Sequence, residues 1–88
     1  MAEEIKEVKI GEIAHYFGKI SVAAIKLTDG HLKVGDTIHI KGHTSDFTQK
    51  VDSIQIEHNK VTEAKKGDDI GIKVAEHVRE KDEVYKVE

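Results

Sequence analysis

Leu32-Lys33-Val34-Gly35-Asp36-Thr37-Ile38-His39-Ile40-Lys41-Gly42 holds a turn and the strand that leaves it, and the remainder of the chain is built on the same pattern. Gly35 takes positive φ without a side-chain clash and Asp36 can bond its own nearby backbone, so the chain reverses here. Ile38 and Ile40 then alternate with polar neighbours at the period of a half-buried strand. The order returns twice. Lys65-Lys66-Gly67-Asp68-Asp69-Ile70-Gly71-Ile72 repeats base, turn, acid and alternating apolar residues, and Arg79-Glu80-Lys81-Asp82-Glu83-Val84-Tyr85 repeats it with Lys81 in the glycine's place. The unequal spacing of Asp36, Asp68 and Asp82 marks a reused strand-opening device and not a solenoid repeat.

The chain has 88 residues, which predicts one domain over residues 7–88 behind a polar lead at 1–6. Val and Ile together number 20 against two Leu, a ratio that suits pleated strands and not helices. An all-β fold follows. Cysteine is absent, which excludes a disulfide scaffold and a thiolate zinc site. The first residues show no basic, apolar secretory pattern, and no run reaches the ~20 apolar residues of a membrane helix. A cytoplasmic location is expected.

Formal net charge is −3, unevenly spread. Residues 15–66 carry six acids against eight lysines and five of the six histidines, whereas both ends are acidic. This argues against non-specific DNA binding through massed Lys and Arg but allows a local RNA contact.

Along the chain, Val8 and Ile10 alternate with charges, Gly11 interrupts, and Ile13, His15 and Phe17 resume in the opposite phase, which predicts one bulged strand with Phe17 in the core. Ile20, Val22 and Ala24 share one face of the next strand while Ala23, Ile25 and Leu27 take the other, so it is either covered on both sides or bulged. Thr28-Asp29-Gly30 reads as a hairpin connection. Gly42 to Asp46 is a polar loop by composition. Phe47 to Ile56 reads as one strand bulged at Asp52-Ser53, and Val61 and Ala64 as plugs over one end of a barrel. Gly71, opposite Ile70 and Ile72, suggests close backbone approach. Ala75 to Lys81 is a polar connection with room for a helical turn, and Val84 to Val87 reads as a charged edge strand. Glycine-marked corners predict a small closed β-barrel of six to seven strands, since closure removes exposed edges.

These segments resemble the β-barrel second domain of translational GTPases, as in elongation factor Tu, and the small stand-alone elongation-factor-like proteins. The resemblance is carried by Ile10-Gly11-Glu12-Ile13, by Gly30 to Ile38, by Val51-Asp52-Ser53-Ile54-Gln55-Ile56 and by Ala64 to Ile72. It implies an elongation factor Tu domain-two-like fold and a module of translation that contacts RNA or the ribosome. A comparable barrel is appended to some collagenase-like peptidases, which implies a protein partner instead. The Gly-x-x-x-x-Gly-Lys-Ser/Thr phosphate loop is absent, so GTP binding by this chain is not expected.

Lys33, His58, Lys60, Lys65 and Lys66 are the candidate RNA- or partner-binding residues, a weakly basic rim that would hold phosphate and shape. His39 and His43 do not converge on a strand as they would on a helix, so no metal is expected. No nucleophile is paired with a base, and no catalytic residue or cofactor is expected. The reading is a non-enzymatic, translation-factor-like binding module docking on RNA or a ribonucleoprotein. The alternative is an accessory subunit or adaptor for a partner enzyme such as a peptidase or an RNA-modifying enzyme.

Overall fold

Alternating branched and polar residues form strands throughout the residues that the computed structural model describes, 7–43, 46–57 and 59–87. The polar lead at 1–6 lies outside them, as does His58. Ten strands follow in order: β1 (Glu7–Phe17), β2 (Val22–Leu27), β3 (His31–Lys33), β4 (Thr37–Lys41), β5 (Asp46–Lys50), β6 (Ile54–Ile56), β7 (Asn59–Val61), β8 (Glu63–Lys65), β9 (Asp69–Lys73) and β10 (Glu83–Val87). Eight make one antiparallel sheet in the order β5-β4-β10-β1-β2-β9-β6-β7, and β3 pairs with β8 in a separate ribbon. The inward row includes Ile10, Ile13, Ile25, Leu27, Leu32, Ile38, Ile40, Ile54 and Val84, each at most 1% exposed, so one continuous aliphatic core lies behind the sheet.

The three strand-opening turns are built alike. Asp36, Asp68 and Asp82 each accept, through Oδ2, the N–H three residues earlier, from Lys33, Lys65 and Arg79 at 2.9, 2.9 and 3.0 Å. Each aspartate's own N–H donates back to the carbonyl of that same residue. The residue before it has positive φ: 99° at Gly35, 95° at Gly67 and 74° at Lys81. A left-handed conformation costs an L-residue about 1–2 kcal/mol, partly offset by glycine's greater freedom when unfolded. Lys81→Gly is therefore expected to stabilise the fold by roughly 0.5 kcal/mol and raise Tm by about 3 °C in a thermal melt.

Several local expectations give way to tertiary pairing. β1 is a single bulged strand, but its register shifts twice, at Lys9/Gly11 against β10 and at Ile13/His15 against β2. The second shift turns His15 and Phe17 outward and leaves Tyr16 packed on the core. Thr28-Asp29-Gly30 makes no hairpin. The N–H groups of Thr28 and Asp29 both donate to Ile10 O and Lys66 N–H donates to Gly30 O, so the chain runs on past β2 alongside β1, and β3 pairs with β8.

Residues 46–56 form two strands with different partners, β4 for β5 and β7 with β9 for β6, separated by the buried Val51. The segment expected to plug one end supplies β8, with buried Ala64 opposite Leu32, and the close of β7 at half-buried Val61. No helical turn forms at 75–81; buried Val78 holds that connection down. β10 is central, between β4 and β1, and not an edge. The charges that resemble edge protection pair across the sheet surface, Lys9 with Glu83 at 3.0 Å and Lys86 with Asp36 at 3.5 Å.

The strand count exceeds the expected six to seven because short pieces at 31–33, 54–56 and 59–65 each find a partner. Among the described residues, no backbone ladder joins β5 to β9. One side chain spans that seam: Gln49 Nε2 donates to Lys73 O at 2.9 Å and Gln49 Oε1 accepts from Ala75 N–H at 2.8 Å. The amide thus stands in for a peptide group between the first and sixth strands of the sheet order. Gln49→Leu is expected to cost about 1 kcal/mol by leaving both backbone groups without this partner, read as a lower urea midpoint with unchanged m.

Candidate interaction surfaces

The lysines singled out by sequence lie on neighbouring segments. In the β3–β8 ribbon, Leu32 and Ala64 point inward, so His31, Lys33, Glu63 and Lys65 are left on the exposed face. Lys33 stands opposite Glu63 and His31 opposite Lys65. Lys66 follows in the exposed turn, and Lys60 lines a separate hollow of about 290 Å³ with Val34, Asp52 and Val61. Lys33, Lys65 and Lys66 therefore share one ribbon while Lys60 faces another hollow, and acids stand among all four. A hollow of about 280 Å³ at the ribbon itself is lined by His31, Glu63, Ala64, Lys65 and Asp68. His58 cannot be placed relative to them, because it lies outside the described residues.

A second polar cluster occupies the outer face of β4, where alternation turns His39 away from Ile38 and Ile40. Its side chain is 16% exposed, with Nδ1 2.7 Å from Glu7 Oε2 and Nε2 2.5 Å from Asp46 Oδ1. A neutral imidazole carries one N–H, so both contacts are hydrogen bonds only in the imidazolium form. The Asp46 hydrogen bond, opposed by partial burial and reinforced by Glu7, raises His39 above the usual imidazole range. Asp46 is held below the usual carboxylate range, chiefly by the same bond.

The signs follow by linkage. A raised imidazole stabilises fully below its unfolded value of about 6.5 and loses that contribution as pH rises through the higher folded value; a depressed carboxylate stabilises above about 3.9 and loses its contribution as pH falls through the lower folded value. Thermal stability is expected to be greatest between roughly pH 4 and 6.5, and His39→Gln should remove the decline on the alkaline side.

A third surface was half visible in sequence, in the apolar residues on both faces of β2. With Ala23, Ile25 and Leu27 inward, Val22 and Ala24 face out, beside Phe17 from β1. Ala24 pairs with Gly71 of β9, which in turn pairs with Gln55 of β6. Small side chains in the middle of this row leave a trough of about 340 Å³ lined by Phe17, Ile20, Val22, Ala24, Ile70 and Gly71. Phe17 is 47% and Ile20 61% exposed. Among the described residues its charged lining is two acids, Glu57 and Asp69. The close backbone approach expected at Gly71 is not what the residue serves, since a Cβ there would meet only Val22 Cγ1 at 3.4 Å, an ordinary contact.

Two solved structures share the architecture. The C-terminal domain of a Geobacillus thermoleovorans U32 peptidase superposes with a TM-score of 0.83 at 21% identity over 89% of this chain and 90% of that one. Its selenomethionine variant gives 0.82 at 20% identity, covering 88% and 96%. Among curated proteins, an uncharacterized protease of Methanocaldococcus jannaschii is 42% identical over 96% of this chain. A collagenase of Porphyromonas gingivalis is 37% identical over 92%. This chain spans only about a fifth of those two relatives, 21% and 20% of their lengths. Residues 21–84, which take in the Asp36, Asp68 and Asp82 turns, match the family described as elongation factor Tu domain 2, and the chain belongs to that family.

Proposed function

We propose that this domain is a non-catalytic accessory module that binds the catalytic part of a peptidase-type enzyme, whether in the same chain or as a separate partner. One observation carries the reading: nearly the whole chain, 96%, aligns at 42% identity with about a fifth of a protease, so the homologous segment there accompanies a much longer polypeptide. The contents of the site agree. The described residues present a formed apolar trough walled by Phe17, Ile20 and Val22.

Docking on RNA through Lys33, Lys60, Lys65 and Lys66 has weaker support, because Glu63, Asp68 and Asp52 stand among those lysines. Purification of the tagged chain from native extract distinguishes the two. A co-purifying peptidase-like chain that persists after ribonuclease treatment is the expected result. Release of the bound material by ribonuclease, together with its loss in the Lys65→Glu, Lys66→Glu double variant, would replace this reading with RNA binding.

A further inference from the structure

Gly71 is the anomaly of the outer sheet face. Its backbone is not among the positive-φ glycines, and a Cβ would find ordinary contact, so the fold does not demand glycine there. A β-branched residue in mid-strand would be favoured by up to ~1 kcal/mol. What glycine does provide is depth: together with Ala24 opposite, it keeps the trough open between Phe17, Ile20 and Val22. Those walls are themselves costly to expose, with Phe17 at 47% and Ile20 at 61%.

We propose that this trough is a docking site for a polypeptide segment of the catalytic partner that presents a bulky apolar side chain flanked by Lys or Arg. The inference rests on the accessory-module reading and names its surface. At about 340 Å³ the trough lies at the small end of the ~300–1,000 Å³ typical of ligand pockets, which suits one or two side chains and not a large cofactor. The apolar walls call for an aromatic or branched aliphatic anchor. The charges among the described lining residues, Glu57 and Asp69, call for a cation beside it. Lys26 stands opposite Asp69 on β2 but does not line the trough. A second copy of this chain, with a formal charge of −3, would bring net negative charge toward that acidic rim.

Peptide display on the full chain tests the site, with Ile20→Asp and Gly71→Val as counter-selection targets. Ile20 is solvent-exposed and a Cβ is accommodated at Gly71, so both variants are expected to fold, which thermal melts verify. The wild type should enrich peptides with Phe, Tyr, Leu or Ile within two positions of Lys or Arg. A synthesised representative should shift the amide resonances of residues 17–24 and 69–71, and each variant should weaken it about tenfold or more.

Enrichment of acidic peptides, enrichment equal on the variants, or shifts confined to other strands would overturn the proposal. So would concentration-dependent dimerisation abolished by Ile20→Asp, which would make the occupant a second copy. Repeating the extract purification with Ile20→Asp separates the two levels. Capture of the catalytic chain undiminished by the variant removes the trough and leaves the accessory role standing; peptide binding at the trough without capture of any such chain by the wild type does the reverse.

Discussion

Gly11→Ala is expected to cost about 3 kcal/mol or more, the largest loss from any single methyl added to this chain. Gly11 is buried where β1 bulges against β10, and it also pairs with Leu27 of β2. An added Cβ would run into the Lys26 backbone carbonyl, with Ile25 Cγ2 at 3.3 Å behind it. Backbone cannot swing aside as a side chain can, so β1 and β2 would have to separate where Gly11 pairs with Leu27 and Glu12 with Lys26. A domain of this size has roughly 4–13 kcal/mol of stability in all, so the substitution removes a large share of it. Urea unfolding should show a sharply lowered midpoint; a midpoint within experimental error of wild type would mean the two strands are not held so closely.

Gly42→Ala is the second large effect, at about 2–3 kcal/mol, and its cause is a buried acid. Asp82 is only 6% exposed, and its carboxylate occupies the space a Cβ at Gly42 would need. That carboxylate is also the acceptor for Arg79 N–H in the turn that opens β10. An alanine at 42 therefore displaces the group that shapes a distant turn. Asp82→Ala should lose a comparable amount, and the double variant Gly42→Ala, Asp82→Ala should lose clearly less than the sum, because Asp82→Ala removes the carboxylate that the added Cβ would strike. Strict additivity in a double-mutant cycle would contradict the contact.

Some of this was legible in sequence and some was not, for physical reasons. The Asp36, Asp68 and Asp82 turns are local, each made within four residues, and the pattern read from sequence is the one observed, down to Lys81 taking the glycine's role. Partnership between strands is not local. Thr28-Asp29-Gly30 carries the same signal whether the chain folds back beside β2 or runs on alongside β1, and the bonds to Ile10 O keep it running on. Charges on β10 suggested an edge because their partners, Lys9 and Asp36, come from elsewhere in the chain.

The trough was foreshadowed by the doubly apolar β2, yet only the arrival of Gly71 opposite Ala24 leaves its outer face open. Phe17 was misassigned to the core because a second bulge cannot be read from a pattern that one bulge has already broken. The charged candidates were found as exposed residues, but sequence order gave no hint that Lys33 would face Glu63.

The central position of β10 bears on how the chain acquires its structure. The strand that joins β4 to β1 is made after all nine others, so the halves of the sheet have no covalently near scaffold to meet on until residues 83–87 have emerged from the ribosome. Nascent chains halted before that point should remain protease-sensitive, and refolding should be slow for the size, as distant partners must find one another before any of them is rewarded.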